Sequence, residues 1–118
     1  RIRRLPGGRE VNPGITSMDA FGHTPGHTIY RIASGAAQLL VFGDMVHFPA
    51  VQTRHPEWGI SFDVDAPAAI ATRRRVFDMA AADRVLVAGM HMDFPGLGHI
   101  RRDAAGYHLV SAAWRPFL

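Results

Sequence analysis

A chain of 118 residues with 47% apolar composition is long enough for one domain or a large part of one, and too apolar for wholesale disorder. It has no cysteine, which excludes disulfides and thiolate metal sites and leaves any metal to its 7 histidines and 10 carboxylates. The net charge of +3 rests on 13 basic residues, all arginine; the groups at Arg1, Arg3 and Arg4, at residues 73–75, and at Arg101 and Arg102 read as solvated faces with ion pairs.

The predicted elements run in chain order as follows. Residues 1–14, rich in Arg, Gly and Pro, read as an extended lead-in with turns at Pro6-Gly7-Gly8 and Asn12-Pro13-Gly14. Arg1 to Arg9 is not followed by an apolar run, so no signal peptide is read there. Residues 15–21 suit a short strand, and two glycines with Pro25 break residues 22–26 into a loop. Residues 28–33 and 38–42 are apolar strands joined by a Ser34-Gly35 turn into a hairpin. Residues 45–64 form a long connection, a length often associated with function. Asp65 caps a helix over 66–82 with Pro67 in its first turn, and Ile70, Phe77 and Ala81 share a face. Residues 84–88 are a short strand and 89–98 a Gly/Pro-bearing loop. Residues 99–102 and 107–110 pair as a second hairpin, and Trp114 and Phe117 of the tail are expected to pack on the sheet. The whole reads as an α/β layer with one main helix, one face of whose sheet needs a partner.

Three residues share a pattern. His23, Asp44 and His91 each sit where a strand runs into a Gly-bearing loop, in Gly22-His23-Thr24-Pro25-Gly26-His27-Thr28, in Val41-Phe42-Gly43-Asp44 and in Gly89-Met90-His91. Side chains at the ends of neighbouring strands can converge, the glycines allow sharp turns beside an ion, and imidazoles with a carboxylate suit Zn²⁺.

The Gly-His-Thr-Pro-Gly-His-Thr run, the later Gly43-Asp44 and Gly89-Met90-His91, in that order and spacing, resemble the metallo-β-lactamase-fold hydrolases over residues 10–118; Asp93-Phe94-Pro95-Gly96-Leu97-Gly98 is similar to one subgroup. The resemblance implies one half of an αββα sandwich, the C-terminal half, filling residues 1–118 as a partial domain. It implies that His23 ligates a first metal, that Asp44 bridges both metals and is the catalytic carboxylate, and that His91 ligates the second. The metals are two Zn²⁺ ions in a complete site, and the hydroxide they hold attacks an ester, lactone, amide or related bond. The family's His-x-His-x-Asp-His motif has no match here, so the chain alone is expected to hold no ion or one. The Pro-bearing connection and the Phe-Pro-Gly-Leu-Gly stretch look closer to the lactonase-like and general hydrolase branches of the family than to its nucleases.

Around these, His47 and Phe94 are read as lining the substrate site, and His27 as orienting the loop by a hydrogen bond without touching metal. His99 and His108 are read as surface residues. Asp63 and Asp65 look like a carboxylate pair, with capping the simpler reading of Asp65. The expected partners are a small-molecule substrate and either a complementary N-terminal half or a second copy of the chain. Nucleic acid is not expected, because aromatic and basic residues do not interleave, nor is a membrane, because no stretch reaches the roughly 18 apolar residues of a span. The alternative is a half-domain that binds metal or a partner without catalysis. The compartment is left open.

Overall fold

The computed structural model describes residues 7–116. Seven strands lie side by side in sequence order: β1 (Glu10–Asn12), β2 (Ile15–Asp19), β3 (Thr28–Ser34), β4 (Ala37–Val41), β5 (Leu86–Ala88), β6 (Leu97–Asp103) and β7 (Gly106–Ser111). All neighbours pair antiparallel except β4 and β5, which are parallel. A parallel pair needs a crossover, and residues between these strands supply it: a 3₁₀ turn at Gly43–Met45, a short helix α1 (Pro49–Gln52) and the long helix α2 (Ala66–Asp83).

The main outline matches the sequence reading, with informative differences. The lead-in contains strand β1, which closes on β2 through the expected Asn12-Pro13-Gly14 turn, Gly14 taking φ +77°; Pro6 lies outside the described residues. The connection after Asp44 is not wholly irregular, because Pro49 at the start of α1 nucleates a helical turn whose end is closed by Thr53 Oγ1 donating to the Pro49 carbonyl at 2.6 Å. Asp65 caps α2 as expected, accepting from Ala68 N–H at 3.0 Å.

The face α2 buries is rotated from the predicted one. Ala69, Thr72, Arg73, Val76, Phe77 and Ala80 are buried, and the reading through Ile70 and Ala81 was displaced because a charged residue sits at the centre of the true stripe. Arg73, expected in a solvated run, is fully buried. Arg74 and Arg102 do pair at the surface, with Glu57 and Asp78. Arg1, Arg3 and Arg4 lie outside the described residues.

Against α2 the sheet presents Ile29, Leu40, Val87, Ile100 and Tyr107. Ile29, Leu40 and Val87 are 0% exposed, and each such side chain contributes about 1.5–3 kcal/mol by burial. Registers place Ile15, Ile32, Leu39, Leu86, His99 and Val110 in one row across six strands. Strand alternation turns that row away from α2, where Ile32 and Val110 are exposed and no described element covers them. Trp114 does not pack on the sheet as expected; it is 61% exposed and its ring meets Phe94, 4.9 Å between centroids. Phe117 lies outside the described residues.

Candidate metal centre

Topology explains why distant residues meet. Val41 at the end of β4 is in register with Ala88 at the end of the parallel β5. Asp44 and His91 each lie three residues beyond that pair. The antiparallel β3 puts Tyr30 beside Val41, so the loop before β3, carrying His23, opens at the same sheet end.

The His23 loop is held against α2. Thr72 Oγ1 donates to the Phe21 carbonyl at 2.8 Å. Gly22 takes φ +130° and lies so close to the helix that a Cβ there would stand 2.1 Å from the Ala69 nitrogen. Within the loop, His27 uses both ring nitrogens. Nδ1 donates to the Ala20 carbonyl at 3.0 Å, and Nε2 accepts the Asp44 N–H at 3.0 Å. This leaves it no lone pair for a cation, as the sequence reading expected, and fixes the turn that carries Asp44. Gly43 permits the contact: its φ is +57°, and a Cβ would meet His27 Nε2 at 2.8 Å.

The Asp44 carboxylate lies between two imidazoles. His23 Nε2 is 3.8 Å from one oxygen and His91 Nε2 is 3.3 Å from the other. The three residues proposed from sequence therefore do come together. The tightest group among the described residues, however, is His23, Asp44 and His47, whose potential ligand atoms all lie within 4.8 Å of one another. His47 stacks on His91 with ring centroids 4.5 Å apart and lies 4.8 Å from the His23 ring. Its backbone N–H, with that of Phe48, donates to Gln52 Oε1, which anchors the segment. Sequence reading placed His47 on the substrate wall; its ring also packs between those of His23 and His91. Phe94 is 75% exposed against Trp114, within the loop that Gly89 opens. His99 is an exposed residue with Nδ1 donating to the Val85 carbonyl, and the half-buried His108 pairs with Asp103.

Electrostatics favour a neutral His47. Burial, then the neighbouring His91 and His23, hold its imidazole below the ordinary range, only partly offset by Asp44 and Asp63. Its Nδ1 is buried with no hydrogen-bond partner. The imidazoles of His23 and His91 with the Asp44 carboxylate between them are a donor set that a divalent cation such as zinc accepts, so the residues fit such an ion.

One residue of the site escaped the sequence reading. Asp63, taken there as half of a carboxylate pair with Asp65, has a side chain only 1% exposed and stands 3.2 Å from His23 Nδ1. The available signal was indirect: Arg73 falls at helical spacing between Ala69, Val76 and Ala80, and a cation on a buried stripe calls for a buried acid.

No family model matches the chain, and neither does any curated protein. Solved structures do. AidC, a dizinc quorum-quenching lactonase in complex with the product N-hexanoyl-L-homoserine, is 28% identical with a TM-score of 0.88 over 94% of this chain and 38% of its own. AbOPH, a hydrolase of the β-lactamase superfamily, is 30% identical with a TM-score of 0.85 over 90% of this chain and 37% of its own. A probable metal-dependent hydrolase from Staphylococcus aureus is 22% identical with a TM-score of 0.71 over 93% of this chain and 40% of its own, a likeness of fold. The chain therefore has the metallo-β-lactamase fold of these metal-dependent hydrolases, matched over nearly its whole length but over less than half of theirs.

Proposed function

We propose that these 118 residues are the C-terminal part of a dinuclear metal hydrolase, with zinc as the metal and a lactone or related ester as the substrate. In this reading His23 would help to hold one ion and His91 the other, with Asp44 as the carboxylate that would serve both. The remaining ligands come from a His-x-His-x-Asp-His segment outside these residues. The observation that carries the reading is the Asp44 carboxylate with a separate imidazole nitrogen approaching each of its oxygens, at 3.8 and 3.3 Å. Cations bound there supply water acidified toward neutrality and a Lewis acid for the scissile carbonyl. The chain's own residues do the rest. His27 holds the Asp44 backbone, and the neutral His47, between the rings of His23 and His91, offers a substrate oxygen a polar contact. The lactonase substrate rests on likeness to AidC, and Phe94 with Trp114 is assigned to the rim where an acyl chain would lie.

The test has two parts. Zinc bound by the purified chain should fall in His91→Ala and in Asp44→Asn; equal zinc in all three ends the ligand assignment. Adding the complementary half should then restore lactone opening. Zinc uptake without turnover in that reconstituted protein would favour the second reading, a metal-binding half-domain without catalysis, which the row through Ile32 and Val110, left exposed by the described elements, equally suits.

A further inference from the structure

We propose that Asp63 and Arg73 are positioning residues that lock the His23 imidazole in its Nδ1–H tautomer, so that the Nε2 lone pair faces Asp44. The consequence for metal affinity rests on the function proposed above; the tautomer itself does not.

Asp63 lies forty residues from His23 in sequence and is brought to it by backbone pairing. Val64 N–H donates to the His23 carbonyl at 3.2 Å, and Asp65 N–H to the Gly22 carbonyl at 2.9 Å. Asp63 Oδ1 then stands 3.2 Å from His23 Nδ1. An ionised carboxylate only accepts, so the ring nitrogen facing it carries the proton.

A buried cation faces this carboxylate, whose side chain is 1% exposed: Arg73, 0% exposed, has a terminal nitrogen 3.6 Å from Asp63 Oδ2. That is ion-pair distance, longer than a hydrogen bond. Arg73 is itself fixed by three carbonyls, with Nε donating to Met45 at 3.1 Å and one terminal nitrogen to Pro56 at 2.7 Å and Trp58 at 3.2 Å. A planar fork reaches all of these; a lysine ammonium does not. Met45 directly follows Asp44, so one guanidinium ties down both the Asp44 turn and the acid that orients His23.

The chemistry predicts the effect of an isosteric change. Asp63 Oδ2 faces two donors, Arg73 and the Ile60 N–H at 3.4 Å. In Asp63→Asn the amide oxygen is held on that side, and the NH₂ group is turned toward His23 Nδ1. The ring must then accept there and carry its proton on Nε2, which closes the lone pair that faces Asp44.

The test is a long-range ¹H–¹⁵N correlation spectrum of the metal-free chain, at a pH where imidazole is neutral, alongside zinc titration. Wild type is expected to show His23 protonated at Nδ1, Asp63→Asn at Nε2, and Asp63→Glu to return toward wild type. Zinc affinity is expected to fall about 10- to 100-fold in Asp63→Asn, the usual effect of losing a carboxylate behind a ligand histidine. A wild-type His23 protonated at Nε2 overturns the proposal without any variant, and so does an unchanged tautomer in a folded Asp63→Asn chain. If the tautomer pattern holds but wild type takes up no zinc, the metal reading fails and this inference stands.

Discussion

Gly22→Ala is the sharpest test of how the site is held. At φ +130°, an alanine pays backbone strain of about 1–3 kcal/mol. Its Cβ would also stand 2.1 Å from Ala69 N, 2.3 Å from Ala69 Cα and 2.7 Å from the Ala68 carbonyl carbon. These are helix backbone atoms and cannot rotate aside, so the first turn of α2 and the His23 loop must separate, at roughly 1–3 kcal/mol more by analogy with overpacking. The total is about 2–6 kcal/mol. For a chain of this size that is a drop in Tm of very roughly 8–25 °C. Gly35→Ala is the control: φ is +57°, also left-handed, but nothing lies within 4 Å of its Cβ, so the expected cost is about 1–2 kcal/mol. Differential scanning calorimetry of both variants, with zinc binding as a second readout, decides the matter. Gly22→Ala should be clearly the less stable and should lose zinc, while Gly35→Ala should keep it. Equal Tm shifts in the two variants would show that the close approach of loop to helix does not hold the site.

Two further outcomes follow from single observations. Arg84 ends α2 with φ +52°, left-handed for a residue with a Cβ, so Arg84→Gly should raise stability by about 0.5–1 kcal/mol in urea unfolding; a loss would contradict that geometry. His47 sits below its unfolded value of 6.5 because of burial and the adjacent His91 and His23. Above that value neither state binds the proton. As pH falls through it, the unfolded chain protonates first and stability is lost until the folded value is passed. The metal-free His47→Asn chain should therefore lose less Tm than wild type from about pH 7 to about pH 5, and parallel curves would refute the cause assigned here.

Local signals carried most of the sequence reading. Asp65 before Ala66-Pro67 marked the start of α2, Ser34-Gly35 marked the β3–β4 turn, and the Gly-bearing loops of His23, Asp44 and His91 marked three strand ends that one sheet brings together. What escaped depends on partners far away in the chain. Asp63 gains its role from His23 and Arg73, and Arg73 from carbonyls up to 28 residues distant, so only the helical spacing of Arg73 hinted at either. His47 was read as lining the substrate site, but its packing against His23 and His91 was not legible, because nothing in its neighbourhood announces that Gln52 folds the segment inward. Trp114 misled because aromatic character argues for burial, whereas its ring found Phe94 at the surface.

The parallel pairing of β4 with β5 also bears on the order in which the molecule assembles. The β2–β3–β4 meander and the β6–β7 hairpin join near neighbours, and hairpins close in roughly 1–10 μs. The register of Val41 with Ala88 instead closes a loop containing the whole of α2, a non-local step whose chain entropy must be met before its contacts form. Asp44 and His91 flank that seam, so their approach belongs among the late events of folding. In a stopped-flow experiment, a chromophoric cation such as Co²⁺ would then report the final closure of the chain, lagging behind the far-ultraviolet signal of the early strands.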